Sequence, residues 1–335
     1  MANTPLKADL VLEGGGAKSI ALIGAISVLE EAGYTFPRVV GSSAGALVGA
    51  LVAAGMSAEK MRDIMIRTPC CAFSDKGVVD RMGSLGRAAS LFFEQGIFEG
   101  EHLKKFLRQM IPQQMHTFAG LRLPPDPESA LPAERQYRLT VLASDITRNR
   151  LVRLPGDYWS HYHLDRDAQS VIDAVRASMS IPFFFEPAHL HYTRVDEKGH
   201  AHSETSTLVE GGMLSHFPVD AFDRVDGRPA RWPTFGIKLS GRPGQIPMSS
   251  HIDGPLTESL AMVEALVGWR DRAHFEDPSV LERTIFVDTT KVASFDFGLL
   301  HKEQEYLFES GREAAMRFLK TWDLDEHLER RAAKV

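Results

Sequence analysis

Only two cysteines occur in the 335 residues, and they are neighbours, Cys70 and Cys71. A bond between adjacent residues closes almost no loop, so a disulfide scaffold is excluded and a reducing, cytoplasmic setting is expected. Basic charge is also in short supply: 38 Lys and Arg against 44 Asp and Glu leave a net charge of −6. Nucleic acids and anionic membrane surfaces are held through clustered cations, and no run of four Lys or Arg is present, so a nucleic-acid partner is not expected. Long apolar runs are missing too. Ile20–Leu29 is broken by Gly24 and Ser27, and Ala44–Met56 by glycines, so both fall short of the roughly 20 residues that span a bilayer. Met1 to Asp9 lacks the basic, apolar and small-residue zones of a secretory leader. Any membrane contact is expected to be peripheral and transient.

What remains is an ordinary globular composition, 44% hydrophobic and 24% charged, which rules out long disordered tails and coiled-coil rods. Dividing the length by roughly 150 residues per domain gives about two domains, yet no repeat and no clean linker divides the chain. Leu10-Val11-Leu12 reads as a buried strand that stops at Glu13-Gly14-Gly15-Gly16. A helix follows from Lys18 to Ala32, then a strand at Val39-Val40 and a small-residue helix from Ala44 to Ala54. Two strand–loop–helix units at the start predict an α/β fold with a parallel sheet. Ser57 to Met110 reads as mostly helical and Leu123–Pro132, with four prolines, as a surface loop. Further along, paired strands are predicted at Tyr137–Ser144 and Leu151–Leu154, a helix at Ala168–Ala177 and a hairpin of His189–Val195 with His202–Val209. Phe235–Leu239 and Thr284–Val287 read as later strands, and Glu303–Thr321 as a long terminal helix.

Gly41-Ser42-Ser43-Ala44-Gly45 fits G-x-S-x-G between a predicted strand and a predicted helix. A serine on such a turn projects its hydroxyl clear of the backbone, and the flanking glycines let the chain make a strained bend. The following helix aims its N-terminal amides at charge developing near that hydroxyl. A bare G-x-S-x-G also arises by chance as a packing turn.

Gly14-Gly15-Gly16-Ala17-Lys18-Ser19 also lies at a strand end. A phosphate-binding P-loop needs glycines where the chain has Leu12 and Ala17, and the dinucleotide fingerprint meets Ser19 at its third glycine. Both spacings fail. Consecutive glycines do expose amides that can converge on an oxyanion beside Ser43, so Gly14, Gly15 and Gly16 are candidate oxyanion-hole residues.

An activated serine needs a base. Late histidines such as His274 and His301 have no distinctive context, and Ser43 stands too early for the α/β-hydrolase order of serine, acid and histidine. The alternative is Glu210 in Leu208-Val209-Glu210-Gly211-Gly212-Met213, an acid at a strand end. Burial raises a carboxyl pKa and makes it a better base. An acid in an ordinary Gly-Gly turn has the same local sequence.

Four motifs occur in order: G-G-G-A-K, G-S-S-A-G, A-S-M-S-I-P-F-F-F-E-P at Ala177–Pro187, and E-G-G-M-L-S-H-F-P-V-D at Glu210–Asp220. In this order they resemble the patatin-like phospholipases over roughly Leu10 to Leu239. The resemblance implies a three-layer α/β/α fold with a central, mostly parallel sheet. It also implies a serine–carboxylate dyad that hydrolyses fatty-acyl esters of phospholipids or related lipids, with no metal and no cofactor. Carried over, Ser43 is the nucleophile, Glu210 the dyad acid, and Gly14, Gly15, Gly16 and Ala17 the oxyanion hole. Glu210 departs from the family's Asp, Ser19 from its glycine and His216 from its Asn. The longer acid keeps a second reading open, a lipid-binding or regulatory pseudoenzyme with a defective dyad. Because residues 43 and 210 must share one site, residues 1–335 are expected to form a single domain, with motifs in 10–240 and 241–335 packing on that core.

Three H-x-H pairs, His161/His163, His189/His191 and His200/His202, read as solvated strand faces, since no Cys or acid completes a metal spacing. Leu91-Phe92-Phe93 reads as core, and Phe183-Phe184-Phe185 equally as core or as acyl-pocket lining. Lys18 reads as a surface lysine rather than a headgroup contact.

Overall fold

The computed structural model describes residues 6–67, 100–126, 128–129, 131–182, 185–214, 217–224, 226, 228, 230–239, 258, 261–262, 265, 277–292, 299–324 and 326–327. The Cys70-Cys71 pair, Leu91-Phe92-Phe93, Phe183-Phe184, His216 and His274 lie outside them, as does much of the helical stretch expected between Ser57 and Met110.

The chain opens with β1 (Leu6–Lys7) and β2 (Asp9–Leu12), then α1 (Ile20–Glu31), β3 (Tyr34–Thr35), β4 (Val39–Ser42), α2 (Ala44–Ala53) and α3 (Ala58–Arg67). After α4 (Glu101–Met110) come β5 (Leu139–Asp145), β6 (Arg150–Leu154), α5 (Gly156–Tyr162) and α6 (Val171–Ser178). The hairpin β7 (Ala188–Val195) and β8 (Ala201–Val209) follows, then β9 (Thr234–Lys238), α7 (Pro278–Leu281), β10 (Thr284–Phe286) and α8 (His301–Thr321). The main sheet has the order β10-β9-β2-β4-β5-β8-β7, with β6 also on β5. β10, β9, β2, β4 and β5 run parallel; β6 and the hairpin add antiparallel strands. This is the expected mostly parallel sheet flanked by helices.

Side-chain alternation divides the core in two. Leu10, Leu12, Val39, Val141 and Ala143 enter the larger cluster, with α1, α2 and α8. Val11, Val40 and Leu142 face the other way, onto Leu131, Phe217, Val219, Phe222 and Val280. With both faces covered, the strands read as continuous apolar runs, which made them legible. α1 and α2 are apolar all round because both sides of each are buried. α1 lies between the sheet and α8, and the two helices cross where a Cβ on Gly24 would lie 2.0 Å from the Phe308 carbonyl oxygen and one on Gly311 2.0 Å from that of Ala21.

Some boundaries differ from expectation for local reasons. A 3-10 turn over Gly16–Ser19 precedes α1, which delays it to Ile20. α6 starts at Val171 because the Ser170 hydroxyl accepts the Asp173 amide hydrogen at 3.1 Å and caps the helix. His161 and His163 do not alternate in a strand: His161 lies in the last turn of α5, and His163 caps it at a φ of 55°. His189 and His191 share the exposed face of β7, while His202 bonds Asp196 at 3.0 Å. Among the described residues no group of three metal-binding side chains occurs, and no helix is long and apolar enough to cross a membrane.

Candidate active site

Strand register brings the site together. β4 pairs with one edge of β5 up to Ser42 opposite Leu142, and β6 occupies the other edge from Val141 to Asp145. β8 pairs with Ser144 and Asp145, so it extends the β4 edge from the opposite direction. β4 and β8 therefore meet end to end, and the residue after each, Ser43 and Glu210, arrives at the same place.

Ser43 is 2% exposed and adopts φ 53°, ψ −127°, outside the regions a side chain prefers. Such a conformation costs about 1–3 kcal/mol and persists only when its surroundings enforce it. Two glycines make the bend possible: a Cβ on Gly41 would lie 2.3 Å from the Gly45 carbonyl oxygen, and one on Gly45 2.4 Å from that of Leu12. The Ser43 carbonyl accepts from Ala46 and Leu47 at 2.8 and 3.1 Å, which starts α2. Its amide donates to the Ser178 hydroxyl at 2.8 Å, and Ser178 donates to the Leu142 carbonyl at 2.6 Å.

The glycine loop lies against this turn. A Cβ on Gly14 would fall 2.9 Å from the Ser43 Cβ and 3.4 Å from Glu210 Oε1, so only glycine fits between them. Glu13 anchors the loop by accepting from the Lys238 ammonium and the Leu239 amide at the end of β9. Among the described residues no acceptor takes the amide hydrogens of Gly14 or Gly15. Ala17 is buried, while Gly15 and Gly16 are half-buried.

Glu210 is 9% exposed, and its amide donates to the Ser180 carbonyl at 2.9 Å. Oε1 accepts from the Gly212 amide at 3.1 Å and from the Ser42 hydroxyl at 3.4 Å. Burial pushes its carboxyl up to about 7, against the nearby Ser43 hydroxyl and the hydrogen bonds from Gly212 and Ser42, which pull it down. A carboxylate of that basicity beside a serine turn is able to accept a hydroxyl proton near neutral pH.

The structure thus brings together Gly14, Ser43 and Glu210. His301 instead stands exposed at the start of α8, beside Glu305 at 3.3 Å. Sequence reasoning did not assign roles to Ser42, Ser178 or Ser180. The alternating hydroxyls of Ala177-Ser178-Met179-Ser180 were the available signal, since small polar residues in an apolar run satisfy buried backbone groups. Phe185 of the aromatic run is buried, with the Arg176 guanidinium over its ring at 5.4 Å.

The fold and this turn define an α/β protein that carries a serine elbow at the end of a parallel strand. The sequence profile described as Patatin-like phospholipase matches residues 10–223. Protein YqhO of Bacillus subtilis (strain 168), described as uncharacterized, is 30% identical over 314 residues, 94% of this chain and 98% of that relative. The chain belongs to the patatin-like phospholipase family. It is also 25% identical over 225 residues to the uncharacterized NTE family protein Rv2565 of Mycobacterium tuberculosis (strain ATCC 25618 / H37Rv), covering 63% of this chain but only 27% of that protein. Among solved structures, VipD from Legionella pneumophila aligns over 95% of this chain and 67% of its own, with 18% identity and a TM-score of 0.49. ExoU of Pseudomonas aeruginosa, solved with SpcU, aligns over 97% and 52%, with 18% identity and a TM-score of 0.47.

Proposed function

We propose that the protein hydrolyses carboxylic esters of lipids through an acyl-enzyme on Ser43, with Glu210 as the general base. The observation that carries this reading is the meeting of the Ser43 turn with the buried Glu210 carboxylate across Gly14, where one added Cβ would lie 2.9 Å from the Ser43 Cβ and 3.4 Å from Glu210 Oε1. Glu210 takes the Ser43 hydroxyl proton as Oγ attacks the ester carbonyl carbon. The oxyanion that forms lies over the amides of Gly14, Gly15, Gly16 and Ala17, where each donor contributes about 10²–10³ in rate. Collapse expels the alcohol, which takes the proton from Glu210. Water, deprotonated by Glu210, then attacks the acyl-enzyme, and the bond to Ser43 Oγ breaks as Glu210 returns the proton to it, which releases the fatty acid and restores the free serine. No metal or cofactor enters these steps.

The extra methylene of Glu210 is taken up by its own turn, since Oε1 folds back onto Gly212. That supports a working dyad over a defective one. The motifs from residue 10 to 240 form one catalytic unit, and the packing of α8 on α1 supports joining 241–335 to it. With a net charge of −6, apolar contact or a partner brings the protein transiently to a membrane.

The test compares lipid loss from a membrane extract treated with wild type, Ser43→Ala or Glu210→Asp. Loss with wild type alone supports the proposal, and equal loss with Ser43→Ala overturns it. Fluorophosphonate labelling of Ser43 without turnover of any ester favours the pseudoenzyme reading, whereas a large gain in Glu210→Asp would show that the native glutamate slows a working enzyme.

A further inference from the structure

We infer that a cavity on the sheet face away from α1 and α2 is a binding site for a small phosphate monoester. The cavity has a volume of about 320 Å³, and Val40 and Leu142 form its floor. Both belong to the second core cluster, so the cavity opens on the face that the larger cluster does not cover. Sites for small ligands span roughly 300–1,000 Å³, which puts this one in the range of a compact metabolite.

Three arginines converge on it. Arg153 pairs across the antiparallel ladder with Leu142, and directly opposed residues point to the same face, so Arg153 rises beside the floor. Arg135 and Arg166 stand in the walls. Elsewhere Arg122, Arg148, Arg194, Arg224 and Arg283 each meet a carboxylate within ion-pairing distance. Among the described residues no carboxylate does so for Arg135, Arg153 or Arg166, and Arg135 reaches only the Ala221 carbonyl at 3.4 Å. Two acids also line the cavity, Glu134 and Asp157. Asp157 is turned to local use, accepting from the Arg153 amide at 2.6 Å and the Ser160 hydroxyl at 3.4 Å.

The chemistry of the lining selects the ligand. Guanidinium groups are planar, remain charged and bind tetrahedral oxyanions in pairs of parallel hydrogen bonds, so three of them suit a dianionic phosphate. The apolar floor and the Trp159 ring, 55% exposed in the wall, suit the carbon portion of an ester better than inorganic phosphate alone. This site is distinct from the Ser43 turn, and its occupancy is read by binding, without turnover.

The test is calorimetric titration of the full chain with glycerol 3-phosphate, alongside sedimentation with phosphatidylcholine vesicles with or without phosphatidic acid. Saturable binding of glycerol 3-phosphate, weakened about tenfold or more by Arg153→Gln or Arg166→Gln and less by Arg153→Lys, supports a soluble ligand. Phosphatidic-acid-dependent sedimentation lost in the same Gln variants, without soluble binding, supports the same site with a lipid headgroup as the source. Failure of wild type to bind either probe overturns the proposal, and so does binding that folded Gln variants leave unchanged.

Discussion

The backbone amide of Ser43 donates a 2.8 Å hydrogen bond to the hydroxyl of Ser178, a residue 135 positions away. Ser178 in turn bonds the Leu142 carbonyl, and two residues on the Ser180 carbonyl accepts the Glu210 amide hydrogen. One short segment at the C-terminal end of α6 therefore holds both the strained serine turn and the acid. Removing the hydroxyl in Ser178→Ala leaves the Ser43 amide buried without its partner, at a cost of about 1–3 kcal/mol in stability. We predict that kcat per folded molecule also falls about 10–100-fold with little change in KM, because a displacement of about 1 Å is enough. Thermal melts and steady-state kinetics on a soluble acyl ester check this. An unchanged kcat would reduce Ser178 to a structural role.

The raised carboxyl of Glu210 has two pH consequences of opposite sign. Ester hydrolysis should rise with pH through about 7, where the base loses its proton, and reach a plateau above. Fold stability should move the other way. The folded pKa stands above the ordinary glutamate value of 4.5, so the protonated acid is the form that folding favours. That contribution is complete below about 4.5 and is lost as pH rises through about 7, at a cost of about 3 kcal/mol. Glu210→Gln should therefore raise the melting temperature at pH 8, leave it nearly unchanged at pH 4.5 and abolish hydrolysis. A pH-independent shift would contradict this assignment.

Gly14 is packed between the two proposed catalytic side chains. In Gly14→Ala the new methyl meets the Ser43 Cβ at 2.9 Å and pushes the loop amides away. The expected loss in kcat is about 10²–10³, the effect of losing one oxyanion donor. Kinetics on the same ester, with circular dichroism to confirm folding, provide the check.

The crossing of α1 and α8 makes a prediction about stability alone. Gly24→Ala would drive a methyl to within 2.0 Å of the Phe308 carbonyl oxygen, backbone that cannot turn aside. The helices must separate, and overpacking of this kind costs about 1–3 kcal/mol or more. Denaturant unfolding reads the loss. A neutral outcome would mean that α8 does not pack on α1 in this way.

Much of this architecture was visible in the residues. The pairs Leu10/Val11 and Val39/Val40 divide between two cores, which makes each strand apolar throughout and each following helix easy to place. Ser43 and Glu210 stood out through the order of four motifs that resembles the family, since G-x-S-x-G or an acid in a Gly-Gly turn, taken alone, reads as readily as a packing turn. The end-to-end meeting of β4 and β8 was not legible, because register on β5 depends on hydrogen bonds between segments far apart in sequence. Ser42 and Ser178 were missed for the same reason: a small hydroxyl has no pattern of its own, and its partners belong to other strands. The His161/His163 pair misled because alternation in sequence is shared by strands and by helix ends closed with a left-handed cap.

The central claim is that Ser43 carries the acyl group during turnover. Rapid quenching with an excess of a lipid acyl ester, followed by peptide mass spectrometry, tests it most directly. The account predicts that the acyl mass appears on Ser43 in wild type and is absent in Ser43→Ala, which releases no fatty acid. Undiminished release of fatty acid by Ser43→Ala would contradict it.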